Sequence, residues 1–266
     1  MIDELRVEPG RPAALTKRDP RATFGLDKAT GNARREELVE RLNLLQQRLY
    51  AEGERSLLLV LQGLDASGKD GVIRRVFTGV NPQACRVVSF KAPTSTELAH
   101  DFLWRIHAAL PPRGFIGVFN RSHYEDMVTV RILGLVPDKV WKRRPRDVNA
   151  FERTLVDEGT TIVKAFLNVS KEEQAKRLRE RLEDPEKRWK FRKSDLETRE
   201  RWDEYMAAYE HSITATSKRW APWHVVPADR NWVKSLAVAT LLVDALERMD
   251  PQLPEPEPGL EDLEIV

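Results

Sequence analysis

"LLLVLQGLDASGKDGVIRR", Leu57 to Arg75, decides the fold. An apolar run enters a turn bracketed by Gly63 and Gly68, Lys69 follows, and the next residues read as a helix. In that order, the glycines let backbone N–H groups point inward, the helix adds its positive end, and the lysine ammonium reaches over the same spot, making an anion cradle. The pattern G-x-x-x-x-G-K is complete, yet Asp70 stands where the common nucleotide-binding version carries Ser or Thr. Asp65 and Asp70 thus flank a phosphate site, where carboxylates are repelled unless a cation or proton intervenes. Mg²⁺ bridging them to phosphate is one reading, and a proton-accepting or orienting role is another. Asp70 could also simply favour the positive end of the helix.

Outward from this loop, strand and helix signals alternate. Leu57–Leu61, Arg86–Phe90, Phe115–Phe119, Ile162–Val169 and His224–Val226 read as buried strands. Helical stretches are expected near 69–77, 95–110, 122–133, 148–157, 171–182 and 232–249, and Leu38, Leu42, Leu45 and Leu49 mark an amphipathic helix before the first strand. Such alternation predicts an α/β fold, a mainly parallel sheet of about five strands covered on both faces. Between 183 and 219 the chain offers a charged turn and a long polar helix but no strand, an excursion from the sheet. Residues 1–32, broken by Pro9, Pro12 and Pro20, are expected to be an arm lying over the domain outside its core, and 250–266 an extended Pro-rich acidic tail. The domain proper is then 33–249.

The net charge is +2 although 32% of the 266 residues are charged, so the charge must be sorted locally. No run approaches the roughly 18 apolar residues of a membrane span, and the polar N-terminus lacks a signal-peptide stretch, which points to a cytoplasmic protein with no membrane partner. The single cysteine, Cys85, excludes an internal disulfide and reads as packing.

A second landmark is "GFIGVFNRSHYED", Gly114 to Asp126. Its strand ends at Asn120, so Arg121, Glu125 and Asp126 project where parallel sheets bind ligands. Arg121 suits a phosphate fork, and Glu125 or Asp126 a hydrated magnesium; equally, Arg121 could pair with Asp126. His123 reads as a satisfied, partly buried histidine and Tyr124 as packing. Basic residues gather in "DKVWKRRPRD" and again from Lys176 to Arg201. Alone, such mixed helices are solvated faces; beside a phosphate cradle they look like walls for a polyanion.

Four blocks carry a resemblance: "GLDASGKDG" (63–71), "FNRSHYED" (119–126), "DPEKRWKFRKSDLETRERWDEY" (184–205) and "APWHVVPADRNWVK" (221–234). Together they resemble the polyphosphate kinase type 2 family, similar in fold to thymidylate kinases, over roughly 32–249. The resemblance implies a P-loop kinase with a helical lid at about 183–219 that moves the terminal phosphoryl of inorganic polyphosphate to a nucleotide, reversibly and with Mg²⁺. It implies Asp65, Lys69, Arg121 and Asp126 as catalytic residues, with Asp65 and Asp126 as the metal contacts. Gly63, Ala66, Ser67, Gly68, Asp70 and the lid's Arg181 and Lys190 would bind polyphosphate, and Glu125 the nucleotide. Asn120 stands where many members have Asp, and Glu125-Asp126 where others have Asn-Arg, a variant like the subgroup that takes both mono- and diphosphates. A homo-oligomer without nucleic-acid partners is implied. An ATP-dependent nucleoside monophosphate kinase is the rival on the same cradle. A nucleic-acid-binding module is a further alternative, and it leaves the complete loop unexplained.

Overall fold

Five strands form one parallel sheet in the computed structural model, which describes residues 1–260. They are β1 (Ser56–Gln62), β2 (Cys85–Ser89), β3 (Ile116–Asn120), β4 (Thr160–Asn168) and β5 (Trp223–Pro227), in the order β2-β3-β1-β4-β5. β1 is central and buried throughout, which explains its unbroken run of Leu and Val. Its register sets Leu61 beside Asn120 of β3 and Ala165 of β4, so the loops leaving β1 and β3 emerge side by side. β2, expected to be buried, is the sheet edge and is mostly exposed; edge position follows from topology, which the local run does not encode.

Among the described residues twelve α-helices connect and cover the strands: α1 (Ile2–Leu5), α2 (Lys28–Glu52), α3 (Lys69–Val76), α4 (Ser95–Leu98), α5 (Trp104–Ala108), α6 (Glu125–Ile132), α7 (Asp138–Trp141), α8 (Arg144–Asp157), α9 (Lys171–Glu183), α10 (Ser194–Glu200), α11 (Trp202–Thr216) and α12 (Asn231–Met249). α12 packs against α2, α3 and β4, while α6, α8 and α11 pack together with α8 on β4. Where α2 crosses α12, the Trp232 ring lies 2.3 Å from where a Cβ on Gly31 would stand, so only glycine permits the approach. No helix among the described residues is long and apolar enough to cross a membrane.

Two expected helices are broken. The 95–110 stretch divides into α4 and α5 because the Asp101 carboxylate accepts the Leu103 N–H at 2.9 Å and starts a new turn. The long helix expected within the excursion divides at Arg201, whose guanidinium is drawn to the Ile132 carbonyl at 2.8 Å. The amino-terminal arm needs a larger correction: Leu5, Val7, Ala13 and Leu15 belong to the core. Arg6 bridges antiparallel to His224, and Val7 N–H donates to Trp223 O at 2.8 Å, so the arm covers the β5 edge. Arg18 donates to the carbonyls of Ala13, Glu4, Leu5 and Arg6, and Glu210 accepts the Ala14 and Leu15 N–H groups. Of the expected tail, residues 251–257 carry no helix or strand, and 261–266 lie outside the described residues.

Candidate active site

The site forms where β1 and β3 end. Gly63 has φ +148° and Gly68 φ +100°, conformations that favour glycine. A Cβ on Gly68 would stand 2.1 Å from Lys234 Nζ, and one on Gly63 2.9 Å from Leu167 O, so both positions also lack room for a side chain. Ala66 (φ 61°) and Arg121 (φ 62°) adopt the same left-handed region without being glycine, marking backbone held by its surroundings.

Those surroundings lie behind the loop. Gln174 donates to Asp65 O at 3.0 Å, Arg177 to the Ala66 and Ser67 carbonyls at 3.0 Å each, and Lys234 to Ser67 O at 2.8 Å. With these carbonyls drawn backwards, planar trans peptides turn the N–H groups of Ala66 and Gly68 to the opposite, cradle side. Burial beside Arg177 and Arg75 pulls the Lys234 ammonium down to about 6. Arg177 and Lys234 brace the loop from positions that the motif reading did not single out.

Lys69 is buried at the start of α3 and donates to Gly63 O at 2.6 Å and Leu64 O at 3.2 Å. Burial first, then the nearby Arg121 charge, lower it to about 8. Asp70, the residue in place of Ser or Thr, accepts from Asn120 Nδ2 at 2.7 Å, which ties α3 to the end of β3. An amide at position 120 can donate to that carboxylate; an aspartate there would oppose it.

Arg121 continues the ladder, donating its N–H to Leu61 O at 3.0 Å, and its side chain spans two carboxylates. It is hydrogen-bonded to Asp65 and lies 3.7 Å from Glu125. Although burial opposes the guanidinium charge, Glu125 and Asp65 outweigh it and hold the proton more firmly than usual. Gln62 completes the cluster: with its amide nitrogen toward Glu125, it donates to Oε1 at 3.0 Å and accepts from Ser122 N–H and Oγ. On α11, Tyr205 and Tyr209 stand one turn apart; burial raises both phenols, and the negative charges of Glu125 and Asp65 raise them further. These tyrosines were not anticipated either.

Beneath the cluster runs a buried polar network. Lys164 of β4 donates to Glu152 Oε2 at 2.6 Å, Tyr124 Oη at 3.0 Å and Thr216 O at 2.9 Å. Glu152 Oε1 accepts from the Tyr124 hydroxyl at 2.6 Å and faces His123 Nε2 at 3.3 Å. His123, read as a satisfied buried histidine, meets Glu152 as that reading expects, and Tyr124, read as packing, adds a hydrogen bond; together they anchor the segment between Arg121 and Glu125 to β4 and α8.

The structure thus brings together Gly63, Asp65, Ala66, Ser67, Gly68, Lys69, Asp70, Arg121 and Glu125. Asp126 is set apart from this group: its oxygens face Arg144 at 3.5 Å and Arg105 at 3.7 Å, and Arg144 also bonds its carbonyl, which makes it a buried ion-pair partner. Burial pushes its carboxyl up despite both arginines. Arg181, in the last turn of α9 just before the excursion, faces Asp195 of α10 at 3.7 Å. Burial raises the Asp195 carboxyl and the Asp65 charge adds to it, so this part of the excursion borders the site. Lys190 lies over the exposed Trp189 ring, 5.1 Å from its centroid, and does not join the loop. Cys85 is half-buried, and burial raises its thiol to about 11, which keeps it protonated.

Comparison with known proteins identifies the family and agrees with the fold. A family model described as Polyphosphate kinase 2 matches residues 25–254. An AMP/ADP-polyphosphate phosphotransferase of Meiothermus ruber is 50% identical over 266 residues, covering 99% of this chain and 100% of that protein. An ADP-polyphosphate phosphotransferase of Rhodopseudomonas palustris is 47% identical over 233 residues, covering 83% and 81%. The crystal structure of polyphosphate kinase 2 from Arthrobacter aurescens TC1 superimposes with a TM-score of 0.93 at 43% identity, covering 97% of this chain and 93% of that one. A braced phosphate loop, an arginine held between two carboxylates and a family match across most of the sequence have one reading in common: the chain belongs to the polyphosphate kinase 2 family.

Proposed function

We propose that the protein transfers the terminal phosphoryl of inorganic polyphosphate to a nucleoside mono- or diphosphate, reversibly and with Mg²⁺. The observation that carries this reading is Arg121, spanning Asp65 and Glu125 at the mouth of a loop that also holds the buried Lys69. The AMP/ADP naming of the Meiothermus ruber relative supports acceptors of both kinds.

Phosphoryl transfer asks a protein mainly for alignment and charge neutralisation. The Ala66 and Gly68 N–H groups and Lys69 hold the donor end, Lys69 exchanging its loop carbonyls for phosphate oxygens. Arg121 neutralises charge at the point of transfer, and Asp65 and Glu125 fix its guanidinium before substrate arrives. An acceptor phosphate oxygen is already ionised near neutral pH, so no strong general base is required. Two carboxylates, Asp65 and Glu125, meet at the Arg121 guanidinium, and such a pair fits Mg²⁺, which takes one or two carboxylates and fills its shell with water and substrate phosphates. Asp65 and Glu125 are the carboxylates that would hold it, and when bound it would neutralise charge on the transferring phosphoryl group. Arg181 reaches the donor by leaving Asp195, and Lys190 by movement of its segment, as a lid would require. The protein is proposed to work in the cytoplasm and to self-associate, with the exposed Leu44 and Tyr50 of α2 as interface material.

The test is one reaction series with polyphosphate and Mg²⁺ against AMP, ADP, GMP and GDP. Diphosphate from AMP and triphosphate from ADP are expected. Turnover of neither acceptor class would overturn the reading.

A further inference from the structure

Lys234 is fully buried near the start of α12, and its ammonium donates to two backbone carbonyls, Ser67 O at 2.8 Å and Ala228 O at 3.3 Å. Taking an ammonium out of water is costly unless its partners need it. These partners do not. Arg177 already donates to the Ser67 carbonyl at 3.0 Å and to the Ala228 carbonyl at 2.7 Å, so neither oxygen would be left unsatisfied without the lysine. Nor does a carboxylate call for it. Of the two whose charge favours the ammonium, Glu173 is engaged by Arg177, and Asp229 by Ser170 and Arg21.

The peptide that Lys234 holds accounts for it. The Ser67–Gly68 peptide carries the Gly68 N–H that faces the cradle, and planarity keeps that N–H opposite the Ser67 carbonyl. Gly68 sits at φ +100°, and without a Cβ it reaches the negative side of φ as readily, so a half-turn of this one peptide is open to it. Such a turn would withdraw the N–H and aim a carbonyl oxygen at the phosphate. The missing Cβ also admits Lys234, whose Nζ occupies the place a side chain at 68 would take. Glycine thus frees the peptide, and the lysine it admits removes that freedom. The preceding peptide needs no second clamp, because the Ser67 N–H donates to Leu64 O at 3.1 Å while Arg177 holds the Ala66 carbonyl at 3.0 Å.

We propose that Lys234 is a positioning residue of the transfer: with Arg177 it sets two donors on one carbonyl and holds the Ser67–Gly68 peptide in the setting that offers its N–H to the donor phosphate. The identity of that donor rests on the reading given above.

Such a clamp has a kinetic signature. When only a fraction of molecules holds the competent setting, apparent donor affinity falls by that fraction, while saturating donor refills the competent state and restores the rate. Lys234→Met removes the ammonium and keeps an unbranched side chain in its place, and both carbonyls retain Arg177. The KM for tripolyphosphate and that for long-chain polyphosphate should each rise about tenfold or more, the scale of one hydrogen bond from a charged group. The kcat and the KM for AMP should move by less than about twofold. An unchanged donor KM, an AMP KM that rises equally, or a loss confined to kcat would overturn the clamp, the last being the mark of a fold with fewer active molecules. Should Lys234→Met lose its cooperative thermal transition, Lys234→Leu is read by the same criteria. If the wild type uses no polyphosphate at all, the donor reading falls and calorimetric titration with tripolyphosphate decides the clamp. Binding by the wild type that weakens about tenfold in the variant supports it; binding unchanged in the variant, or absent from both, rejects it.

Discussion

Replacing Lys164 with methionine should destabilise the protein by about 3–5 kcal/mol, the usual scale for removing one partner of a buried ion pair. Lys164 is fully buried and Glu152 1% exposed, so the orphaned carboxylate has no route to water. It would keep only the Tyr124 hydroxyl and His123 as partners. At roughly 2–4 °C per kcal/mol for a domain of this size, the unfolding midpoint falls by roughly 6–20 °C. Urea denaturation of the wild type, Lys164→Met, Glu152→Gln and the double variant isolates the pair. The double variant should recover part of the loss, with a coupling of about 2 kcal/mol or more, because its Gln oxygen still accepts from Tyr124 without a buried unpaired charge. Purely additive losses, or a single-variant loss below about 1 kcal/mol, would show that the network does not anchor the 121–125 segment.

Lys69→Ala should lower kcat by about a hundredfold or more, the scale of removing one electrostatic stabiliser of the transition state, as read in a coupled polyphosphate–AMP assay. Because burial holds the Lys69 ammonium near 8, kcat/KM for polyphosphate should fall as pH rises through about 8, where the free enzyme loses this charge; Lys69→Arg should remove that alkaline limb. Asn120→Asp would set a second carboxylate against Asp70, a repulsion that a bound cation relieves, so the Mg²⁺ concentration for half-maximal rate should fall several-fold, measured by metal titration at fixed substrate. Replacing Arg181 and Lys190 together should raise the KM for polyphosphate more than that for AMP; equal effects would take the excursion out of the donor path.

Much of the fold was legible because apolar, β-branched runs alternating with helical stretches admit few arrangements besides a parallel sheet. The loop was legible because Gly63, Gly68 and Lys69 each meet a separate demand of anion binding. The arm was misread because Leu5, Val7, Ala13 and Leu15 follow no regular period and their burial depends on β5, far away in sequence. Arg177 looks like an ordinary helix-surface charge paired with Glu173, and nothing local shows that it also reaches the loop. Lys234 offered a signal: it sits in a helix buried around most of its circumference, where a lysine must find partners. Lys164 offered the same signal within an apolar strand. Asp126 could not be assigned from sequence, since only the folded positions of Arg105 and Arg144 decide which way its carboxylate is drawn.

A donor exchange reports most directly on what the cradle holds. Purified protein with Mg²⁺ and AMP is given either polyphosphate or ATP, and ADP formation is followed by chromatography together with shortening of the polyphosphate. Formation of ADP from polyphosphate, with ATP a much poorer donor, is the expected result. ADP formed from ATP and AMP, with polyphosphate left intact, would contradict it.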